Sequence, residues 1–262
     1  RLENFEPNTE VGRLSSSLNT MLSRIEESFA IRTESEDKLR RFVADASHEL
    51  RTPLTAIRGF AELHRQGAVV GEEKTKELIS RIEKESIRMS SLVEDLLLLA
   101  RLDQSRELTF DPVDINHLVK EAVASARAAG PDHEITISTV NDEVFVLGDS
   151  MRIHQAIANL LANARTHTPA GTKIVVDISQ NELNTRISVS DTGPGLSESD
   201  QERAFERFFR ADPSRVRVSG EGSGLGLAIV DAVMKAHGGN VEVKSKLGRG
   251  AQFTLRFPIK ND

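Results

Sequence analysis

A histidine and an acid stand side by side in Phe42-Val-Ala-Asp-Ala-Ser-His48-Glu49-Leu-Arg-Thr52-Pro53-Leu54. A neutral imidazole, with an ordinary pKa near ~6.5, carries a lone pair able to attack an electrophile. Glu49 could bond the other ring nitrogen, fix its tautomer and accept its proton. Alone, the pair decides nothing, since a single His-Glu on a helix is also an ordinary surface contact. A zinc-protease reading is excluded, because His-Glu-x-x-His needs a second histidine where this chain has Thr52.

Far downstream, three further segments look like parts of a split nucleotide pocket. Asn159-Leu-Leu-Ala-Asn163 places two amides on one face of a predicted helix, and an asparagine oxygen suits a hard cation such as Mg²⁺. Asp191-Thr-Gly193-Pro-Gly195 ends an alternating strand. Its carboxylate could accept a bond from the exocyclic amine that distinguishes adenine from guanine, or simply close an Asx turn. Gly220-Glu-Gly222-Ser-Gly224-Leu225-Gly226-Leu227 is a glycine-rich segment leading into a helix whose first amides could meet phosphate oxygens. It is not a dinucleotide fingerprint, since Leu225, Leu227 or Ile229 stands where the last glycine would be, and no Lys-Ser or Lys-Thr follows to make a P-loop.

These residues need elements to hold them. Val11, Leu14, Leu18, Met21, Leu22, Ile25 and Phe29 form a narrow helical seam that asks for a partner helix. Leu39, Phe42, Ala46, Leu50, Leu54 and Ile57 continue the rhythm through His48 until Gly67 and Gly71, with Pro53 expected to bend or weaken one turn. A second amphipathic helix carries Leu78 to Leu99 and ends near Asp103. Such a hairpin buries too little apolar surface by itself, which predicts a homodimer closing a four-helix bundle. Residues 104–113 read as a linker. Beyond them six β-branched segments, within 134–140, 144–147, 173–178, 186–190, 240–244 and 252–257, alternate with helices at about 150–166 and 225–236. That order predicts an α/β sandwich, a sheet with helices on one side.

Composition narrows the function classes. A chain of 262 residues with 38% hydrophobic and 28% charged residues has room for two domains, and its net charge of -6 argues against a nucleic-acid partner. No cysteine is present, which removes disulfide, thiolate and sulfur-ligated metal chemistry. The longest apolar runs fall far short of the ~20 residues of a membrane helix, so the chain is expected to be soluble. Because it begins at Arg1, it is expected to be a piece of something longer.

Taken together, the order and spacing of these segments resemble the sensor histidine kinases of two-component signalling over nearly the whole chain. Residues 42–54 are similar to the family's H-box, 159–168 to its N-box, 191–195 to its G1 box, Phe205-Glu-Arg207-Phe-Phe-Arg210 to its F-box and 220–227 to its G2 box. The opening Glu10-Val-Gly12-Arg-Leu helix is similar to the second half of a HAMP relay.

The resemblance implies residues 1–31 as the end of that relay, 32–103 as the dimerising, phosphate-accepting hairpin, and 114–262 as a Bergerat-type ATP-binding domain. It implies His48 as phosphoacceptor, Glu49 as proton acceptor and Thr52 as the residue that positions water for dephosphorylating a partner. Asn163 would hold Mg²⁺ with Asn159 alongside. Asp191, with Gly193 and Gly195, would read adenine; Gly222, Gly224, Leu225, Gly226 and Leu227 would cover the triphosphate. Arg207 or Arg210 would neutralise its charge. The implied partners are a second copy and the receiver domain of a response regulator. The implied setting is the cytoplasmic portion of a sensor whose N-terminal membrane anchor lies outside this sequence.

The chain departs from the family at one place. Many relatives carry a basic residue and then an aromatic at the positions of Thr166 and His167, whereas here Arg165 stands one residue early. Two rivals compete with the kinase reading. An ATPase of the gyrase, heat-shock chaperone and mismatch-repair type uses a glutamate four residues before the metal-binding asparagine, a position held here by Asn159, which cannot take a proton from water. A dimeric relay without nucleotide would not need all five segments.

Overall fold

The computed structural model describes residues 10–103, 108–139, 143–211 and 223–259. By its internal contacts the chain divides after Thr55, and the two units are taken in turn.

Residues 10–55 belong to helix α1, which runs without a break from Glu10 to Arg65. Few residues in this stretch oppose a helix, and Ser47, Thr52 and Thr55 turn their hydroxyls back onto the carbonyls of Val43, His48 and Arg51. Pro53 lies inside the helix and is buried. It supplies no amide hydrogen to the carbonyl of Glu49, so one rung of the ladder is missing beside the histidine. Met21, Phe29, Leu39, Val43 and Leu54 are all more than half exposed, leaving the predicted seam uncovered within this unit.

The second unit begins with the last turns of α1. Gly67, at φ 72°, ends that helix: its amide bonds the His64 carbonyl and the next amide, of Ala68, bonds Leu63, a glycine-terminated cap. After Gly71, helix α2 runs from Glu72 to Asp103, opened by Glu72 and Glu73 where the helix dipole favours acids. Its Leu78, Leu92, Leu98 and Leu99 are buried.

The remainder is the sheet domain. Strand β1 (Asp111–Asp114) pairs antiparallel with β3 (Phe145–Gly148) as a small ribbon. The main sheet has the order β2-β4-β5-β7-β6, from Glu134–Thr139, Lys173–Gln180, Asn184–Asp191, Ala251–Pro258 and Asn240–Ser245; β2 and β4 run parallel and the rest antiparallel. Helices α3 (Ile115–Ala129), α4 (Ser150–Thr166) and α6 (Gly226–Ala236) cover one face, and the short α5 (Glu198–Arg203) lies against β6.

In β4 the side chains of Ile174, Val176 and Ile178 point into the core while Lys173 and Val175 face out, the two-residue period of a sheet covered on one side. Ile153, Ile157, Leu160 and Leu161 of α4 meet that inner face, all fully buried. Asp114 and Asp149 cap α3 and α4 by accepting from the amides of His117 and Arg152.

The expected helical hairpin followed by an α/β domain is what the structure has, and the six predicted strands and two helices recur with ends shifted by a residue or two. Three elements were not foreseen. Helix α3 carries its buried Ile115, Leu118, Val119, Ala122, Val123 and Ala126 at helical spacing, a signal present in the sequence. α5 is a six-residue turn of helix, too short for periodicity. β1 occupies Asp111 to Asp114, overlapping the end of the stretch read as linker, because a four-residue strand containing Pro112 becomes visible only through its pairing with β3.

Candidate active site

In the first unit, His48 is exposed on α1 and Glu49 is half-buried. Successive helical residues point about 100° apart, and no side-chain bond joins these two among the described residues. The expected Glu49 bond to the imidazole is therefore not formed here. Thr52, one turn on, donates its hydroxyl to the His48 carbonyl at 3.3 Å and keeps its oxygen lone pairs.

In the second unit, four separated segments close a ring of contacts. The first link joins α4 to the start of α6: Asn159 Nδ2 donates to the Gly226 carbonyl at 3.2 Å. The second joins the end of α4 to the turn after β5. A Cβ on Gly193 would lie 2.5 Å from Thr168 Cγ2, so only glycine allows that approach. The third joins the α5 region to the glycine-rich segment, where the Phe208 amide donates to the Gly224 carbonyl at 2.9 Å.

Phe208 sits at φ 62°, a left-handed conformation that a bulky residue adopts only when its surroundings enforce it. Gly224 matches it at φ 70°, with no room for a Cβ against the Phe208 backbone. The last link is electrostatic, with His167 within range of both Arg210 and Asp191.

Asp191 is the centre of this ring. Its Oδ1 accepts from the Gly193 amide at 2.8 Å and more weakly from Ala251 at 3.4 Å, which fixes the carboxylate and leaves Oδ2 as the second acceptor. Burial raises its pKa, and the two amide bonds and His167 oppose the rise. His167 is open to solvent as a residue, yet the atoms packed about its ring strip enough water to lower its pKa. The positive charge of Arg210 lowers it further and Asp191 works the other way.

Asn163 is half-buried one turn after Asn159, and its side chain has no bond among the described residues. An asparagine oxygen held but unengaged fits a ligand for a hard cation. Leu225 is fully buried and anchors the start of α6; Gly226 and Leu227 form its first turn. Gly195, at φ 71°, packs against the Lys246 carbonyl too closely for any Cβ. Arg207 lines a crevice with Leu102, Phe205 and Asp231. Gly222 lies outside the described residues.

Arg165 resolves the departure at positions 165–167. Its guanidinium donates to the Ala129 carbonyl at 2.6 Å and fills the space beside Gly130, so it ties α4 to the end of α3. Sequence reasoning also missed the turn between β6 and β7. There the Gly248 amide donates to the Pro194 carbonyl at 2.7 Å, and Gly250, at φ 82°, abuts the Asp191 backbone. The signal was the Gly248-Arg-Gly250 spacing between two strands.

Residues 148–261 match the histidine kinase-, DNA gyrase B- and HSP90-like ATPases, and residues 38–105 match the His kinase A (phospho-acceptor) domain. The chain is 47% identical over 255 residues to the probable sensor histidine kinase TcrY of Mycobacterium tuberculosis, covering 97% of this chain and 53% of that protein. It is 40% identical over 259 residues to the sensor histidine kinase TrcS of the same organism, covering 97% and 50%. Among solved structures, the mycobacterial sensor histidine kinase MprB is 30% identical with a TM-score of 0.51, covering 57% of this chain and 97% of that one.

The chain belongs to the sensor histidine kinases. It spans about half the length of the curated relatives it matches. A structure of the histidine kinase ThkA in complex with the response regulator protein TrrA is also similar, 26% identical with a TM-score of 0.70, covering 87% of this chain and 64% of that one. Within a sensor histidine kinase, the ring around Asp191 falls in the ATPase-like match and His48 in the phospho-acceptor match.

Proposed function

We propose that the sheet domain binds Mg-ATP and delivers its γ-phosphoryl to His48, and that the phosphohistidine then serves an aspartate on the receiver domain of a response regulator. The closed ring of contacts linking Asn159, Gly193, Phe208, Gly224 and Asp191 carries this reading, because it gathers the four sequence segments into one place. Asp191 Oδ2 accepts the exocyclic amine of adenine, Arg210 and the free amides at the start of α6 meet phosphate oxygens, and Asn163 gives its oxygen to Mg²⁺. The metal supplies charge neutralisation on the phosphates.

His48 attacks phosphorus with one ring nitrogen. The proton on the other nitrogen passes to Glu49, which needs a rotamer change from the arrangement described, and the electron pair of the broken bond leaves on ADP. Thr52 keeps its lone pairs for a water that returns the partner's phosphoryl group to solvent.

The exposed apolar side chains of both long helices support a homodimeric four-helix bundle, and the exposed Leu18, Met21, Ile25 and Phe29 support the relay reading of residues 1–31. Among the described residues no helix is long and apolar enough to cross a membrane. The rival ATPase reading is disfavoured at position 159, where a neutral amide is already committed to the Gly226 carbonyl.

His48→Gln is expected to abolish acid-labile labelling from γ-labelled ATP while ATP affinity stays within about twofold. Retained acid-labile label would refute the assignment of His48.

A further inference from the structure

We propose that Gln201 is a positioning residue for base recognition: its side-chain amide locks the turn after β5 to the turn between β6 and β7, and so sets where the Asp191 carboxylate stands. The proposal rests on the reading of Asp191 as the adenine-recognising group.

Gln201 spends all of its polar capacity on backbone. Its Oε1 accepts the Ser245 amide at 3.0 Å, while Nε2 lies 3.2 Å from the Ser245 carbonyl and 3.3 Å from the carbonyls of Leu196 and Ser197. Two hydrogens serve three acceptors, so one bond is shared. Ser245 continues the chain of bonds, its hydroxyl accepting the Leu196 amide at 2.7 Å and donating to the Gly250 carbonyl at 2.7 Å.

Gly250 then packs on the Asp191 backbone, and the next amide, of Ala251, reaches Asp191 Oδ1. The Gly248 amide holds Pro194 from the other side. Every link from Gln201 to the carboxylate is thus a hydrogen bond or a close backbone contact, the last of them, at 3.4 Å, the longest.

Packing within α5 contributes little. Helix α5, which carries Gln201, has six residues and buries none of them, while Ala204 directly after it is buried and Phe205 meets Phe253 edge-on. Its C-terminal end is thus held by apolar contact and the turn before it by polar anchors, so loss of the amide frees that turn without opening the core. ATP and GTP differ where Asp191 acts, an amine donor in one and a carbonyl acceptor in the other. A displaced carboxylate therefore loses discrimination between them, whereas general loosening of the domain weakens both alike.

The test compares ATP and GTP affinity in Mg²⁺ buffer for the chain and three variants. Gln201→Leu is expected to weaken ATP about tenfold and GTP less than about twofold, the size seen when a supporting bond to a recognition group is removed. Gln201→Ala removes the same anchor without adding bulk or charge and should have the same selective effect, which preserves the test if the leucine variant does not fold. Equal weakening of both nucleotides, or no weakening, overturns the proposal. Asp191→Asn separates the two ideas. If it collapses the ATP preference while Gln201→Leu does not, Gln201 is not a positioning residue. If Asp191→Asn keeps the preference, the reading of Asp191 itself is wrong.

Discussion

Asn159 and Asn163 stand one helical turn apart, and their surroundings divide the labour between them. The amide of Asn159 is tied to Gly226, which fixes the approach of α4 to α6. The side chain of Asn163 is left for a ligand. Asn163→Ala is accordingly expected to weaken ATP binding about tenfold in magnesium and very little in excess chelator, measured by calorimetric titration under both conditions. An equal loss in both would place the residue outside the metal site. Much of this was legible in residue types: two asparagines, an aspartate before a glycine turn, a glycine cluster. The strained Phe208 was not, because a left-handed phenylalanine has no signature in composition and exists only where the Gly224 backbone meets it.

Helix α2 carries an acid that the sheet domain partly buries. Asp95 lies 3.5 Å from the Ser223 hydroxyl, a long bond, where α2 packs against α6. Burial raises its pKa to about 6, helped by the charge of Glu94 and opposed by Ser223. Between the free value of 3.8 and about 6 the folded state holds more protons than the unfolded one, so stability falls as pH rises through that window. Allowing for solvent screening at this half-exposed position, the ionised form costs about 1 kcal/mol. Asp95→Asn should raise the melting midpoint at pH 7.5 by roughly 2–4 °C and by visibly less at pH 5. A pH-independent gain would mean that the carboxylate is not the source. The amphipathic period of α2 was plain in the sequence. Which of its polar residues would meet α6 was not, since Asp95 and Ser223 are 128 positions apart.

For the molecule as a whole, uncovered apolar side chains recur along α1 and α2 among the described residues. Ile79 and Ile87 are 57% and 60% exposed, more than isolated surface contacts require. If a second copy covers them, Ile87→Glu places two carboxylates in a dry seam and should weaken dimerisation at least about a hundredfold, while helical content stays intact because glutamate favours helix. Sedimentation across a concentration series reads this directly. A variant that remains dimeric at the same concentrations would move the interface elsewhere.

Period and spacing are local properties, and the chain carries them openly. The apolar repeats of the long helices, the alternation of β4 and β7, the glycines at turns and the order of the chemical segments were all settled by which residue follows which. Contacts between distant residues had to wait for the fold. The bond of Asn159 to Gly226, the role of Arg165 as a tie to Ala129, the pairing that makes Asp111–Asp114 a strand, and the route from Gln201 to Asp191 each join positions separated by dozens of residues. Such contacts depend on how the sheet and helices close around a common core, a geometry that no single stretch of sequence contains.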